Sequence, residues 1–307
     1  MSLTEVLLIA GTHGNEINAP WLFDQFKEGT TCINRRGLNV STIIGNPFAR
    51  QKCLRYIDRD LNRSFSLKLL SSISNQHEYE IKRAKELLNS YGKASQKPVS
   101  IVLDFHSTTA SMGSSIVIYG RRFADLALAA LIQKCLDWPI YLHEGDDSQT
   151  GFLVEQWPCG LVIEIGPVAQ GVLRNKIINQ TMLAIETCLD ELEKIKSFNY
   201  TFPTEVVIHR HLKSIDFPRD LNGQITAFID ENIDGKDWIP INQGDAIFDD
   251  LSGIKLILDQ PNLPHKVVPI FINEAAYLEK GIAFSLTTKE SWEFKQSWSN
   301  SLISLLS

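Results

Sequence analysis

Two kinds of apolar pattern alternate along the first two thirds of the chain. "EVLLIAG" (5–11), "LNVSTIIGN" (38–46), "PVSIVLDFHST" (98–108) and "GLVIEIGP" (160–167) are short apolar runs. The last two are nearly unbroken, as expected of strands buried on both faces. Between them lie stretches with apolar residues at helical spacing. "EINAPWLFDQFK" (16–27) offers Trp21, Leu22 and Phe26 for one face, and residues 76–91 offer Tyr79, Ala84, Leu87, Leu88 and Tyr91. "FADLALAALIQKCL" (123–136) and residues 171–197 complete the helical set. Strands alternating with helices predict an α/β architecture, a mostly parallel sheet covered on both sides. Near "SFNYTFP" (197–203) the pattern changes. Short β-like runs follow, split by turn signals at Asn222-Gly223, Asp234-Gly235, Gln243-Gly244-Asp245 and Ser252-Gly253, and helical periodicity is largely gone. The expected division is therefore 1–200, and 201–307 as a smaller β-rich C-terminal domain.

Composition narrows the function. With 307 residues, 44% hydrophobic and 21% charged, the chain can bury a substantial core. A net charge of −6 argues against a nucleic-acid partner, which calls for a basic surface. Cys32, Cys53, Cys135, Cys159 and Cys188 are odd in number and form no C-x-x-C pair, which fits reduced thiols in the cytoplasm. The N-terminal apolar run is too short for a membrane span and reads as the first strand.

The candidate chemistry sits at strand ends. His13 and Glu16 follow the first strand and His106 ends another. In open α/β sheets ligands bind at the carboxyl ends of the strands. Two imidazoles and one carboxylate there make a catalytic zinc composition with a fourth position open. H-x-x-E alone is a weak signal, and incidental loop residues are the alternative. Asp104 shares a strand face with His106. It reads either as the carboxylate that orients a ligand imidazole, His13 rather than its neighbour, or as a buried turn cap. Glu164 stands in an apolar strand, where burial raises a carboxyl pKa toward proton-transfer range; a structural pairing with an arginine is the alternative. The charged run "RYIDRDLNRSF" (55–65) reads as a solvated loop, or as one that turns selected arginines inward onto an anionic substrate. His209 and His211 lack a nearby carboxylate of ligand spacing, and His77, His143 and His265 read as surface or loop residues.

Taken in order, "GTHGNE", "RYIDRDLNRSF", "DFHSTT", "IEIGP" with "QGVL", "DFPRDLNGQI" and "NEAAYLEK" resemble the aspartoacylase family, a branch of the zinc carboxypeptidase-like enzymes. The resemblance spans nearly the whole chain. It implies a zinc-carboxypeptidase-like mixed sheet flanked by helices, with the β-rich C-terminal domain covering the active-site entrance. It implies one Zn2+ per subunit on His13, Glu16 and His106, Glu164 as general base and acid, and Arg55 polarising the scissile carbonyl. Asn62 and Arg63 match the pair that holds the substrate carboxylate, and Tyr277 a second-domain tyrosine that reaches the site. The implied activity is amide hydrolysis of a small anionic N-acyl amino acid, N-acetyl-L-aspartate first, by a homo-oligomer with no membrane or nucleic-acid partner. One departure stands out. Counting back from Glu164, Val154 and Thr150 fall where the family has a substrate-binding arginine and tyrosine. Arg121 or Arg122 is the expected substitute; otherwise the preferred substrate is neutral or aromatic. A non-catalytic metal or ligand binder on the same scaffold is the remaining alternative.

Overall fold

The structure is a computed structural model that describes residues 3–26 and 33–307, so Met1, Lys27 and Cys32 lie outside it. In chain order it runs β1 (Thr4–Ala10), α1 (Asn18–Gln25), β2 (Leu38–Ile44), α2 (Pro47–Lys52), α3 (Leu67–Ser71), α4 (Tyr79–Tyr91), β3 (Ile101–Ser107), β4 (Ser114–Tyr119), α5 (Phe123–Leu136), β5 (Ile140–His143), β6 (Cys159–Ile165) and α6 (Asn175–Lys196). Then come β7 (Glu205–Ile215), β8 (Phe228–Ile229), β9 (Ile241–Asn242), β10 (Ala246–Asp249), β11 (Lys255–Ile257), β12 (Lys266–Ile270), β13 (Phe284–Glu293) and α7 (Gln296–Leu306). A ten-stranded sheet has the order β2-β1-β3-β6-β4-β5-β7-β13-β12-β9, and β11-β10-β8 form a separate three-stranded sheet.

The large sheet is mixed. β2, β1, β3 and β6 run parallel, β4 turns antiparallel against β6, and β5 and β7 follow parallel to β4. β4 and β5 escaped the sequence reading: β4 starts soon after β3 ends, and β5 is only four residues long. The sheet also runs on past residue 200, because β7 pairs with β5 and then with β13. α7 adds a helix to the C-terminal part, which the sequence pattern marks only as β-rich. Its serines and asparagine are weak helix formers, but Trp298, Leu302 and Leu306 are buried in the same core as α5 and α6.

Strand periodicity sorts the core onto two faces. Val6, Leu8 and Ala10 of β1, Leu103 and Phe105 of β3, and Leu161, Ile163 and Ile165 of β6 pack into one cluster with α1, α5 and α6. Leu7, Ile9, Val102 and Val162 point the other way, into a second cluster. Asp104 and His106 share the parity of Val102, and Glu164 that of Val162, so all three project from the second face. Of the face expected for α1, Leu22 and Phe26 are in the core, joined by Phe23, while Trp21 lies 39% exposed.

Candidate active site

Adjacent β1, β3 and β6 deliver the central residues to one end of the sheet. Parallel register sets His106 beside Glu164. β1 ends at Ala10, and the turn after it carries His13 and Glu16 over the end of β3. Gly14 permits that turn to sit close to α2: a Cβ there would lie 2.2 Å from the Ala49 and Arg50 backbone.

His13, Glu16 and His106 are buried, and their candidate ligand atoms all lie within 4.8 Å of one another. His13 Nδ1 is 2.7 Å from Glu16 Oε1 and 3.1 Å from His106 Nδ1. His106 Nδ1 is 3.1 Å from Glu16 Oε2, which also accepts the Ser107 N–H at 3.0 Å. The far nitrogens face carboxylates: His106 Nε2 lies 2.8 Å from Asp104 Oδ2, and His13 Nε2 lies 2.9 Å from Asp60 Oδ1. Each Nε2 thus carries a proton toward its carboxylate. In the neutral imidazoles both Nδ1 atoms are then bare lone pairs aimed at each other and at Glu16, an arrangement that calls for a cation between them. The donor set fits zinc.

Asp104 therefore orients His106, its own strand neighbour, and not His13 as expected. A carboxylate two residues away on a strand face reaches the adjacent ring directly. The partner of His13 is Asp60, which the sequence reading left in the charged loop. Its Oδ2 is 2.7 Å from Lys280 Nζ and 3.6 Å from Arg55. Thr12 Oγ1 donates to Asp104 Oδ1 at 2.8 Å.

The charged loop turns inward because Glu80 of α4 holds it. Glu80 is fully buried and accepts the N–H groups of Ile57, Asp58 and Arg59 together with Asn46 Nδ2. Arg55 donates Nη1 to Glu16 at 3.2 Å, while its buried Nε has no hydrogen-bond partner among the described residues. Asn62 Oδ1 accepts Leu153 N, and the residue lines the cleft. Arg63 donates Nε and Nη2 to Gln149 Oε1 at 3.0 and 2.8 Å, with its guanidinium 4.1 Å over the Phe152 ring. Tyr277 enters from the C-terminal region, its ring 5.2 Å from Phe271. Nearby Glu274 fastens that region to the end of β3, accepting Thr108 Oγ1 and the Thr109 and Ala110 N–H groups.

Charge follows this geometry. Burial would raise the Glu16 carboxyl, but His13 and His106 hold it well below the usual range. Burial would likewise raise Asp60, and His13, Lys280 and Arg55 hold it low. Burial opposes a charged His106, yet Asp104 and Glu16 keep its proton bound well above the usual imidazole value. Glu164 behaves in the opposite way. Burial lifts it to about 8, Glu16 and Glu274 add to the effect, and His106 and Arg55 oppose it. Among the described residues it makes no hydrogen bond and no ion pair, so the structural alternative of an arginine partner fails.

The segment before β6 differs from the sequence count. Val154 is fully buried, packed under Gly160, and Thr150 points to solvent. The residues of this segment that line the cleft are Gln149 and Phe152. Neither expected substitute reaches it. Arg121 pairs with Glu144 and stacks on Trp292. Arg122 pairs with Asp125 and donates to the carbonyls of Val154, Glu155, Trp157 and Gly160. His143, expected at the surface, closes β5 and lines the cleft, and His209 and His211 are buried on β7. Their apolar neighbours in sequence gave no sign of this, since the pairing of β5 with β7 is a long-range event.

Residues 2–192 match the succinylglutamate desuccinylase/aspartoacylase catalytic domain, and residues 204–289 match the AstE/AspA barrel-sandwich hybrid domain. The chain belongs to the succinylglutamate desuccinylase/aspartoacylase family. Within it, a probable aspartoacylase of Prochlorococcus marinus is 53% identical, with 100% of this chain and 99% of that one covered. A second, from Parasynechococcus marenigrum, is 48% identical with both chains fully covered. The fold matches crystalline murine aminoacylase 3 with a TM-score of 0.86 at 31% identity, over 96% of this chain and 98% of that one. The likeness to a succinylglutamate desuccinylase of Vibrio parahaemolyticus, TM-score 0.63 at 16% identity over 94% and 82% of the two chains, is one of fold. The family supports a hydrolase acting on the amides of small N-acyl amino acids. No helix of the described residues is long and apolar enough to cross a membrane.

Proposed function

We propose that the protein is a zinc-dependent amidohydrolase of small N-acyl amino acids, with N-acetyl-L-aspartate the first candidate and acetate and L-aspartate its products. One observation carries the reading: three ligand atoms converge beside Glu164, whose carboxyl no protein group occupies. A binder needs the three ligands but not a free, proton-holding carboxylate next to them. That the relatives are probable aspartoacylases supports the aspartate side.

His13, Glu16 and His106 would hold the zinc, which when bound supplies Lewis acidity and lowers the pKa of water. Asp60 and Asp104 fix the tautomers and ring orientations of the two imidazoles. Glu164 takes the proton of the attacking water and passes it to the leaving amine nitrogen, work that its burial-raised affinity for a proton suits. Arg55, with its unpartnered Nε, donates to the acyl oxygen as charge develops there. Asn62 and Arg63 receive the substrate α-carboxylate, and the neutral Gln149 holds Arg63 in place without cancelling its charge. Tyr277 lines the same cleft from the C-terminal side.

The test is a panel of N-acetyl amino acids, N-acetyl-L-aspartate first, with zinc-loaded protein. Amine release should stop on chelation and return with zinc. A zinc-loaded sample that turns over no member of the panel would remove the reading in favour of a metal or ligand binder.

A further inference from the structure

Past Glu164 the cleft continues into a chamber whose walls include Arg63, Tyr119, Tyr141, His143, Phe152 and Ser285. Arg63 is the one lysine or arginine on those walls among the described residues. With Arg63 given to the α-carboxylate, a second carboxylate on the substrate's side chain would meet no fixed cation. The chamber offers instead an imidazole with an unusual backing. The Tyr141 hydroxyl lies 2.9 Å from His143 Nδ1 and also 2.9 Å from His211 Nδ1. On the far side of each ring, His143 Nε2 is 3.4 Å from the Gln149 carbonyl and His211 Nε2 is 3.8 Å from Asp146 Oδ2.

Counting protons separates two arrangements. One hydroxyl proton serves one of the two Nδ1 atoms, so the other ring must donate to the hydroxyl oxygen. If that ring is His143, its Nε2 is a bare lone pair facing the Gln149 carbonyl. If it is His211, its bare Nε2 faces Asp146 Oδ2 at 3.8 Å, beyond hydrogen-bond reach, and His143 keeps an Nε2–H. The second arrangement satisfies every hydrogen bond with both rings neutral, and it leaves the His211 Nε2 lone pair beside Asp146 as the place for one additional proton.

We propose that His143, backed by Tyr141 and His211, is the receptor for the side-chain carboxylate of an acidic N-acyl amino acid and takes up a proton as that carboxylate binds. The proposal rests on the hydrolase reading and names its substrate class. Before substrate enters, burial holds His143 neutral, at about 4, with His211 and Arg63 adding and Asp146 and the Gln149 carbonyl opposing. Burial lowers His211 as well. The groups around His143 are Tyr141 on its own strand, His211 from β7, Tyr119 from β4, Arg63 from the 55–65 loop, Asp146 and Gln149 from the loop after β5, and Glu164 across the chamber. An incoming carboxylate adds the close anion that favours an imidazolium.

The experiment compares kcat/KM for N-acetyl-L-aspartate and N-acetyl-L-asparagine, which have the same shape, in the wild type and in His143→Gln. The aspartate-to-asparagine ratio should fall by about tenfold or more in the variant, through KM, as when one charged partner is withdrawn; an unchanged ratio would overturn the proposal. A second measurement needs no variant. Calorimetry of the zinc-loaded wild type in two buffers of different ionisation heat should show more proton uptake with L-aspartate than with L-asparagine, and equal uptake would also overturn it. Failure to hydrolyse either N-acetyl compound would instead strike the hydrolase reading, and the product titration would still decide the role of His143.

Discussion

Asp60 and Asp104 determine what His13 and His106 can do. Each takes the Nε2 proton of one imidazole and so directs the opposite nitrogen toward Glu16. Carboxylates in this position commonly contribute roughly 10–100-fold to metal affinity. Asp60→Asn should therefore weaken zinc binding by about that factor in competition with a chromogenic chelator, and undiminished affinity would mean the His13 ring is held by something else. Glu164→Gln should bind zinc like the wild type and lose about two orders of magnitude or more in turnover; near-normal rates would take Glu164 out of the proton transfer. At this scale Glu164 was readable because its chemistry contradicts its apolar surroundings, and His13, Glu16 and His106 because they fall at strand ends. Asp60 was not, because nothing in a loop with five charged residues from Arg55 to Arg63 says which one faces inward.

Among elements, the 55–65 loop depends on α4. The Glu80 carboxylate accepts three consecutive N–H groups, from Ile57, Asp58 and Arg59, and without it those part-buried donors lose their acceptor. Glu80→Ala should cost about 3 kcal/mol of stability, in the range for a buried, charge-assisted set, and should raise KM because Asn62 and Arg63 lose their support. Chemical denaturation with steady-state kinetics checks both; a stable variant with unaltered KM would contradict it. The helical spacing of 76–91 had pointed to apolar residues for this helix, and Glu80 was hidden because a buried acid on an amphipathic helix looks like a solvated one. The same lesson applies before β6. Counting positions from Glu164 led to Val154, yet the short 3-10 turn at Leu153–Gln156 rotates that side chain into the core. Val154→Arg should therefore destabilise the protein by roughly 2 kcal/mol or more, as expected for a charge forced into packed apolar surroundings, and should leave any aspartate preference unimproved. The strands and long helices were legible because their apolar periods are unambiguous; β4, β5 and α7 were not, since short runs and serine-rich helices are settled by their neighbours.

Over the whole molecule, one sheet carries both halves of the site. β1, β3 and β6 bring the ligand set, while the turn before β13 brings Glu274, Tyr277 and Lys280. That continuity across residue 200 could not be read from the sequence, where the change of pattern marks a change of element type and says nothing about which strands pair. Buried histidines make the molecule's stability sensitive to acid. His209 is 5% exposed, its Nδ1 has no hydrogen-bond partner among the described residues, and burial lowers it to about 4. A lowered imidazole contributes stability that is present above its unfolded value near 6.5 and lost as the pH falls through about 4. Asp125 and Asp237, lifted to about 6 by burial, act in the opposite direction over an overlapping range, so the wild-type melting curve alone does not isolate the histidine. The difference does. His209→Phe should gain in Tm relative to the wild type as the pH drops from about 6.5 to about 4, and a difference that stays constant over that interval would contradict it.

The proposed mechanism requires one zinc ion among His13, Glu16 and His106, next to Glu164. Anomalous diffraction at the zinc edge from zinc-loaded crystals tests it directly. A single strong peak is expected about 2.0–2.2 Å from both Nδ1 atoms and from a Glu16 oxygen. A peak elsewhere, or none with saturating zinc, would contradict it.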